Sequence, residues 1–368
     1  MITDLKRTSL YDRHAAAGAK IVPFAGWEMP VEYAGVRAEH LAVRARSGLF
    51  DVSHMGQIEV MGPGSREFLQ SVLTNDITRI GPGQAQYTLL PDDEGGVIDD
   101  LLAYALLDRF LLVVNASNIA PCFERISGLA PAGVDVVDRS PEVAMLALQG
   151  PAWALALSPF ASPEPFALQY MEATEARVSG VPCLVARTGY TGEPGVEIMC
   201  PADDASTVWD ALMRGPDGPV PTGLAARDTL RLEMGYPLYG NELGRDRSPI
   251  AAGLHWACDL RNGGFPGAER MRSEREQGTP EKLVALLFTE KGIPRGGCPV
   301  LANGEVVGTV TSGTLSPSLG VGAALAYVSS DHAEPGTALT VDVRGKQKAA
   351  EVTALPLVDT SPRKGDPR

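Results

Sequence analysis

Apolar and polar positions along the chain follow two rhythms, one of period near 3.6 and one of period 2. Residues 35–49, GVRAEHLAVRARSGL, have helical spacing and predict a helix ending at Gly48, a C-cap residue. FDVSHMGQIEVMG (50–62) alternates and predicts a strand, which Pro63-Gly64 punctuates before a helix over 64–73. Three strands follow over 84–90, 97–107 and 110–116, joined by the polar cluster PDDEGG and by the two-residue turn Asp108-Arg109. A helix is expected over 117–129, and VAMLALQGP (143–151) reads as a buried strand running into a turn. VPCLVARTGY (181–190) is a strand, TGEPGVEIMC a turn and a strand, and helices are expected over 203–214 and 223–235. The polar break GTPEKL (278–283) marks a domain boundary. Beyond it VALLF, GEVVGTVTSG, GAALAYV, ALTVDV and AEVTAL are short strands at regular spacing, the pattern of a small antiparallel barrel or jelly roll, and the tail SPRKGDPR is expected to fray.

Composition adjusts this picture. A chain of 368 residues holds two or three domains, and 40 Gly and 29 Pro with only 6% aromatics favour short strands and turns. The formal net charge of −13 argues against a nucleic-acid partner, because phosphate binding needs a basic surface. The segment MITDLKRTSLYDRH has no apolar stretch of the kind a secretion signal carries, and no run approaches the roughly 20 apolar residues that cross a bilayer, so no membrane association is expected. Five scattered cysteines without a CxxC pair suit inert thiols in a reduced cytoplasm. Five histidines without ligand spacing give no metal site.

The candidate chemistry starts at GGVIDDLLAY (95–104), where two adjacent aspartates precede a leucine run. Carboxylates are costly to bury without partners. The pleat sends Asp99 and Asp100 to opposite faces, with Leu102 and Tyr104 on the side of Asp100. If PDDEGG pairs Leu90 with Val97, Tyr87 lies across from Asp100; if Asp108-Arg109 is a tight turn, Asn115 lies across from Leu102. Tyr87, Asp100, Tyr104 and Asn115 then share a face suited to a flat, nitrogen-rich ligand. Asp99 reads as turn chemistry, accepting loop N–H groups; for Asp100 both the turn and the site reading stay open.

Other motifs are less specific. In RTGYTGEPGVEI (187–198), Glu197 sits in a strand between Val196 and Ile198, and a buried carboxylate there calls for two parallel N–H donors, as a 2-amino-pyrimidinone edge supplies. The glycines of this stretch match neither GxGxxG nor a P-loop and read as turn formers. Arg227 and Arg231 stand four apart on a helix, where solvated salt bridges are the default. Ser53 and His54, as neighbours in a strand, point apart and make no dyad, so His54 reads as a satisfied structural histidine.

Taken together, AGAKIVPFAGWEMPVEY, GLFDVSHMGQIEVMGP, LTNDITRI, GGVIDDLLAY, VVNASN, RTGYTGEPGVEI, ARDTLRLEMGYPLYGNEL and VVGTVTSGTLSPSLGVGAALAYV resemble, in order from about Thr8 to Val358, the T proteins of the glycine cleavage system. The resemblance implies an α+β cloverleaf of three domains, two with mixed α/β antiparallel sheets and a third that is a small C-terminal barrel or jelly roll, around a central folate channel. The domains would be 1–50 with 140–220, 51–139 with 221–278, which carries the hairpin, and 279–368. It implies an aminomethyltransferase that takes the one-carbon unit from the lipoyl arm of a partner, H protein, to tetrahydrofolate, giving 5,10-methylenetetrahydrofolate, ammonia and dihydrolipoyl H protein, without a metal. Matching positions make Asp100 the catalytic carboxylate, Glu197 the holder of the pterin edge, and Met55, Tyr87, Tyr104, Asn115 and Tyr190 the pocket lining, with Arg227 near the folate.

One departure stands out: several relatives carry a ligand-contacting aromatic near the C-terminus, whereas here no Tyr or Phe follows Tyr327. Two alternatives share the fold. Folate-dependent S- or O-demethylases need neither the Asp100 constellation nor a lipoyl partner. Folate-binding accessory proteins of iron–sulfur assembly carry a KGCYxGQE-like stretch, where this chain has YPLYGNEL (236–243).

Overall fold

The computed structural model describes residues 5–215, 217–261 and 263–363. Residues 364–368, the end of the tail expected to fray, lie outside the described residues.

Two open sheets and a closed barrel make up the α+β architecture. One sheet has seven strands, in the order Ala161–Ser162, Ala173–Val178, Val181–Ala186, Gly195–Pro201, Val143–Gln149, Gly48–Asp51 and Val220–Pro221, antiparallel except for the last pair. The other has five, in the order Gln84–Pro91, Val97–Ala105, Arg109–Val114, Gly56–Met61 and Asp135–Asp138. A small three-stranded sheet contains the hairpin Lys20–Phe24 and Trp27–Glu32. The six barrel strands run from Glu281–Phe288 to Lys346–Thr353, so the regular spacing of short apolar runs closed on itself as expected.

The alternation of residues 50–62 does not form one strand. Gly48–Asp51 and Gly56–Met61 belong to different sheets, and Val52–Met55 crosses between them. The chain returns through 139–142, beside the outward crossing. Val52 N–H donates to Met145 O at 2.9 Å, and Arg139 N–H to Gln57 O at 2.8 Å. Gly48 is no C-cap: the helix is Val36–Ala45 and Gly48 opens a strand, because a Cβ there would lie 2.5 Å from both Thr222 and Val43.

Both faces of the sheets are used. Leu49, Leu146, Val185 and Ile198 pack with Val208 and Trp209 of helix Ala205–Arg214 on the outside of the larger sheet. Ile58, Leu101, Ala103 and Leu112 pack with Phe68, Leu69, Cys122 and Ile126 of two helices on the outside of the smaller one. The inner faces meet each other through Phe50, Val52, Tyr104, Val113, Met145 and Met199. Helix Leu224–Met234 lies against strand Trp27–Glu32, helix Val36–Ala45 and two barrel strands.

Two buried polar groups on that helix tie it to the barrel. Arg231, expected to be solvated, is 1% exposed. Its guanidinium donates to Glu242 Oε2 at 3.0 Å, Ser312 Oγ at 2.7 Å and Asp228 Oδ1 at 2.8 Å, because its side of the helix faces the barrel rather than water. Glu233 accepts from Ser318 N–H at 3.2 Å, Ser318 Oγ at 2.9 Å and Arg44 Nη2 at 2.8 Å, with His40 Nε2 at 3.2 Å. Burial works to raise its carboxyl, and hydrogen bonds and charge from His40, with Ser316 and Arg44, outweigh burial and hold it at about 2.

Candidate active site

The hairpin divides its two carboxylates between a helix-covered face and the inter-sheet face. In strand Val97–Ala105, Leu101, Ala103 and Ala105 face the helices, whereas Leu102 and Tyr104 face the other sheet. Asp99 shares the first side and Asp100 the second.

The strand registers differ from the expected ones by two residues on each side. Tyr87 stands opposite Leu102 rather than Asp100, and Leu90 opposite Asp99 rather than Val97. The cause is a bulge between Leu90 and Pro91 and an internally capped turn, in which Asp92 Oδ1 accepts from the N–H groups of Glu94 (3.0 Å) and Gly96 (2.8 Å). On the other side Leu102 faces Val113, not Asn115, because the turn is centred on Leu107-Asp108. Arg109, expected in that turn, is drawn into the sheet opposite Met61, and its Nε donates to Glu59 Oε1 at 2.6 Å. A slip of two preserves every residue's face. The four residues therefore keep their common side. Tyr87 Oη donates to Asp100 Oδ2 at 3.0 Å, and Asn115 Nδ2 to Asp100 Oδ1 at 3.0 Å.

Asp99 does not cap the turn. It has no exposure, and accepts from the Asn115 N–H at 2.8 Å, Asn115 Nδ2 at 2.9 Å and Asn118 Nδ2 at 2.6 Å, with Cys122 Sγ at 3.7 Å. Burial pushes both carboxyls up. Because like charges side by side oppose each other's ionisation, the pair titrates as a unit, with steps at about 6 and about 7. Hydrogen bonds from Tyr87 and Asn115 and the charge of Arg227 work the other way on Asp100.

The larger sheet supplies the opposing wall. Glu197, between Ala147 and Ala186 on neighbouring strands, is 6% exposed and accepts from Thr188 Oγ1. Burial raises its carboxyl, while Thr188, Arg227 and Tyr104 oppose the rise. Tyr104 Oη and Thr188 Oγ1 lie 3.0 Å apart, so one chain of contacts joins the two sheets. The glycines beside them are more than turn formers: a Cβ on Gly189 would meet Gln149 Oε1 at 2.0 Å, and Gly192 holds φ +78° against Met234.

Arg227 closes the site from helix Leu224–Met234. Its guanidinium stacks over the Tyr190 ring at 4.4 Å and makes no hydrogen bond or ion pair with any described residue. Burial lowers its pKa, and its charge acts on Asp100, Glu197 and His54. Tyr190 donates its hydroxyl to Pro237 O and stacks with Tyr236. Met55 is half-buried among the residues between the sheets.

Ser53 and His54 lie in the crossing segment, not in a strand. They form no dyad: Ser53 Oγ accepts from Met145 N–H at 3.1 Å and donates to Met145 O at 3.3 Å. His54 is not the satisfied histidine expected: it is 2% exposed, its Nδ1 has no partner among the described residues, and burial, followed by the Arg227 charge, lowers its pKa to about 4.

These elements and their order match known proteins. The model described as GCVT N-terminal domain covers residues 10–262, and that of the glycine cleavage T-protein C-terminal barrel domain covers residues 281–359. The chain belongs to the glycine cleavage T-protein family. An aminomethyltransferase of Geobacillus kaustophilus is 46% identical over 96% of this chain and 98% of its own length; one of Frankia alni is 47% identical over 98% and 100%. The crystal structure of glycine cleavage system aminomethyltransferase T from Bartonella henselae superposes with a TM-score of 0.91 at 37% identity, over 97% of this chain and 99% of that one. This T-protein family member is thus an enzyme, an aminomethyltransferase, and the α+β fold with a C-terminal barrel is that of its relatives.

Several residues at the site escaped sequence reasoning. Trp256, 59% exposed, stacks on Tyr87 with ring centres 5.4 Å apart. Arg363, in the tail that lacks an aromatic, lies over the Tyr170 ring at 5.2 Å. Thr188 sat within a quoted motif, but in the loop after strand Val181–Ala186 rather than in the strand expected over 181–190, so parity gave no guide to it; Trp256, Tyr170 and Arg363 meet their partners only through the fold.

Proposed function

We propose that this T-protein family member transfers the one-carbon unit carried on the lipoyl arm of H protein to tetrahydrofolate, giving 5,10-methylenetetrahydrofolate, ammonia and dihydrolipoyl H protein. Asp100 is the catalytic carboxylate. The observation that carries this reading is the unpartnered Arg227 guanidinium over Tyr190, whose charge acts on both Asp100 and Glu197.

A folate fits that set of groups. Its pterin edge offers parallel N–H donors and Glu197 is a buried acceptor, so the two make charge-assisted hydrogen bonds. A ligand carrying carboxylates suits Arg227, which is partly buried and makes no ion pair with a described residue. Met55, Tyr87, Tyr104, Asn115 and Tyr190 line the pocket, the aromatics offering flat faces. Tetrahydrofolate supplies the two nitrogens, N5 and N10, that take the carbon. Closing the bridge removes their protons, while the amine and the thiol must leave protonated. A carboxylate whose affinity for protons is raised toward neutrality can take up and return a proton in one active site, and its charge stabilises cationic character at the carbon.

The test mixes protein, tetrahydrofolate and aminomethylated H protein and follows ammonia release. Asp100→Asn is expected to lose most turnover while folate still binds in a titration; full activity in that variant overturns the assignment. Methyl transfer from a small thioether or aryl ether without ammonia release would favour a demethylase instead.

A further inference from the structure

Asp99 is a buried carboxylate that the transfer itself does not consume. We propose that Asp99 is a positioning residue for Asp100: through the one side-chain amide of Asn115 it fixes the Asp100 carboxylate, and its own charge sets how tightly Asp100 holds a proton. This rests on the reading of Asp100 as the reacting carboxylate.

The geometry is that of a shared donor. Asn115 Nδ2 has three acceptors in range: Asp99 Oδ1 at 2.9 Å, Asp100 O at 3.0 Å and Asp100 Oδ1 at 3.0 Å. The N–H of Asn115 donates to Asp99 Oδ2 at 2.8 Å, so Asp99 holds the asparagine by main chain and side chain together. Asn118 Nδ2, at 2.6 Å, holds Asp99 in turn. Without Asp99, Asn115 loses one fixed point at its side-chain amide and one at its main chain, and the amide can turn away from Asp100.

Charged and titratable groups meet the pair from each neighbouring element. Tyr87 faces Asp100 from strand Gln84–Pro91, Arg227 from helix Leu224–Met234, and Tyr190 from the loop between strands Val181–Ala186 and Gly195–Pro201. On the side of Asp99 stand Cys122 of helix Ile119–Leu129 and Tyr239, with Arg245 acting on both of them. Arg227 alone among these cations acts on Asp100, and the Asp100 charge in turn raises the Asp99 carboxyl behind it. Two carboxylates in one network of donors hold a shared proton more tightly than either holds its own. That keeps Asp100 able to take and return a proton near neutral pH, as the transfer requires.

The experiment follows the carboxyl ¹³C signal of Asp100 in the full chain labelled at aspartate, assigned by its loss in Asp100→Asn. In the wild type this signal should move in two steps. In Asp99→Asn it should move in one, lower than the upper wild-type step by about one pH unit. Should that variant not fold, Asn118→Leu removes a donor from Asp99 while leaving Asp100 and Asn115 in place, and moves the upper step up by about one pH unit. In Asp99→Asn kcat should fall about tenfold or more with folate Kd changed by no more than about twofold, and the acid limb of the kcat profile should follow the NMR shift. A single Asp100 step that neither substitution moves overturns the proposal. Because the titration is read without turnover, that failure is distinct from failure of aminomethyl transfer, which would show as no ammonia from the wild type.

Discussion

Tyr87 holds Asp100 on the diagonal: its backbone stands opposite Leu102, and its hydroxyl donates across to Asp100 Oδ2 at 3.0 Å. A hydrogen bond to the charged form of an acid lowers its pKa, and the Tyr87 hydroxyl is the largest influence opposing the upward push of burial on Asp100. Tyr87→Phe keeps the ring on Trp256 and removes the donor. The acid limb of the kcat profile should then move up by about one pH unit, since a bond to a charged group is worth about 1.5–3 kcal/mol. A pH series of ammonia release measures it.

Glu197 should matter for binding more than for turnover. Glu197→Gln keeps the volume and one acceptor oxygen but removes the charge from a position 6% exposed. Folate affinity is expected to fall about tenfold to hundredfold, with kcat at saturation affected less. Isothermal titration beside kcat checks the split.

Arg227 offers the opposite sign in two measurements. Its guanidinium is partly buried without an ion pair among the described residues, and burial already lowers its pKa. Arg227→Leu should weaken folate binding at least about tenfold, while the ligand-free protein melts at the same or a higher temperature, because a desolvated charge has been removed. A lower melting temperature would mean that the arginine holds the fold rather than the ligand.

At the barrel junction the consequence is one of pH. The Glu233 carboxyl sits at about 2 against an ordinary value of 4.5, so its stabilisation is complete above pH 4.5 and is lost as pH falls toward 2. Glu233→Gln should cost about 3 kcal/mol at pH 7 and progressively less below pH 4.5. Urea unfolding of both proteins at pH 7 and pH 3 reads the difference.

Much of the site was legible because a strand's faces survive even errors of register. Both pairings around Val97–Ala105 slipped by two residues, one through a bulge and one because Glu59 draws Arg109 into the sheet, and Asp100 kept its neighbours. Where parity gave no guide, reading failed. Residues 50–62 alternate on both sides of Val52–Met55, and alternation does not say that the chain has changed sheets. Asp99 looked like a turn residue because the asparagines that bury it lie beyond the next strand. Arg231 looked solvated because nothing local reveals the barrel resting on it.

The paired crossings at Val52–Met55 and 139–142 carry a mechanical consequence. Ser140 Oγ accepts from Gln57 N–H at 2.9 Å, and Ser53 Oγ is bonded on both sides to Met145, so outward and returning segments are stitched into one short stalk. Four residues of chain reach at most about 14 Å even when fully stretched. The stalk fastens one side of the smaller sheet to the larger, and at the opposite edge Ala85 N–H donates to Met171 O at 2.7 Å and Ala173 N–H to Gly83 O at 2.8 Å. With both edges fastened, the two inner faces cannot part like covers; they form a fixed slot, and a ligand must enter along it rather than by prising the walls open.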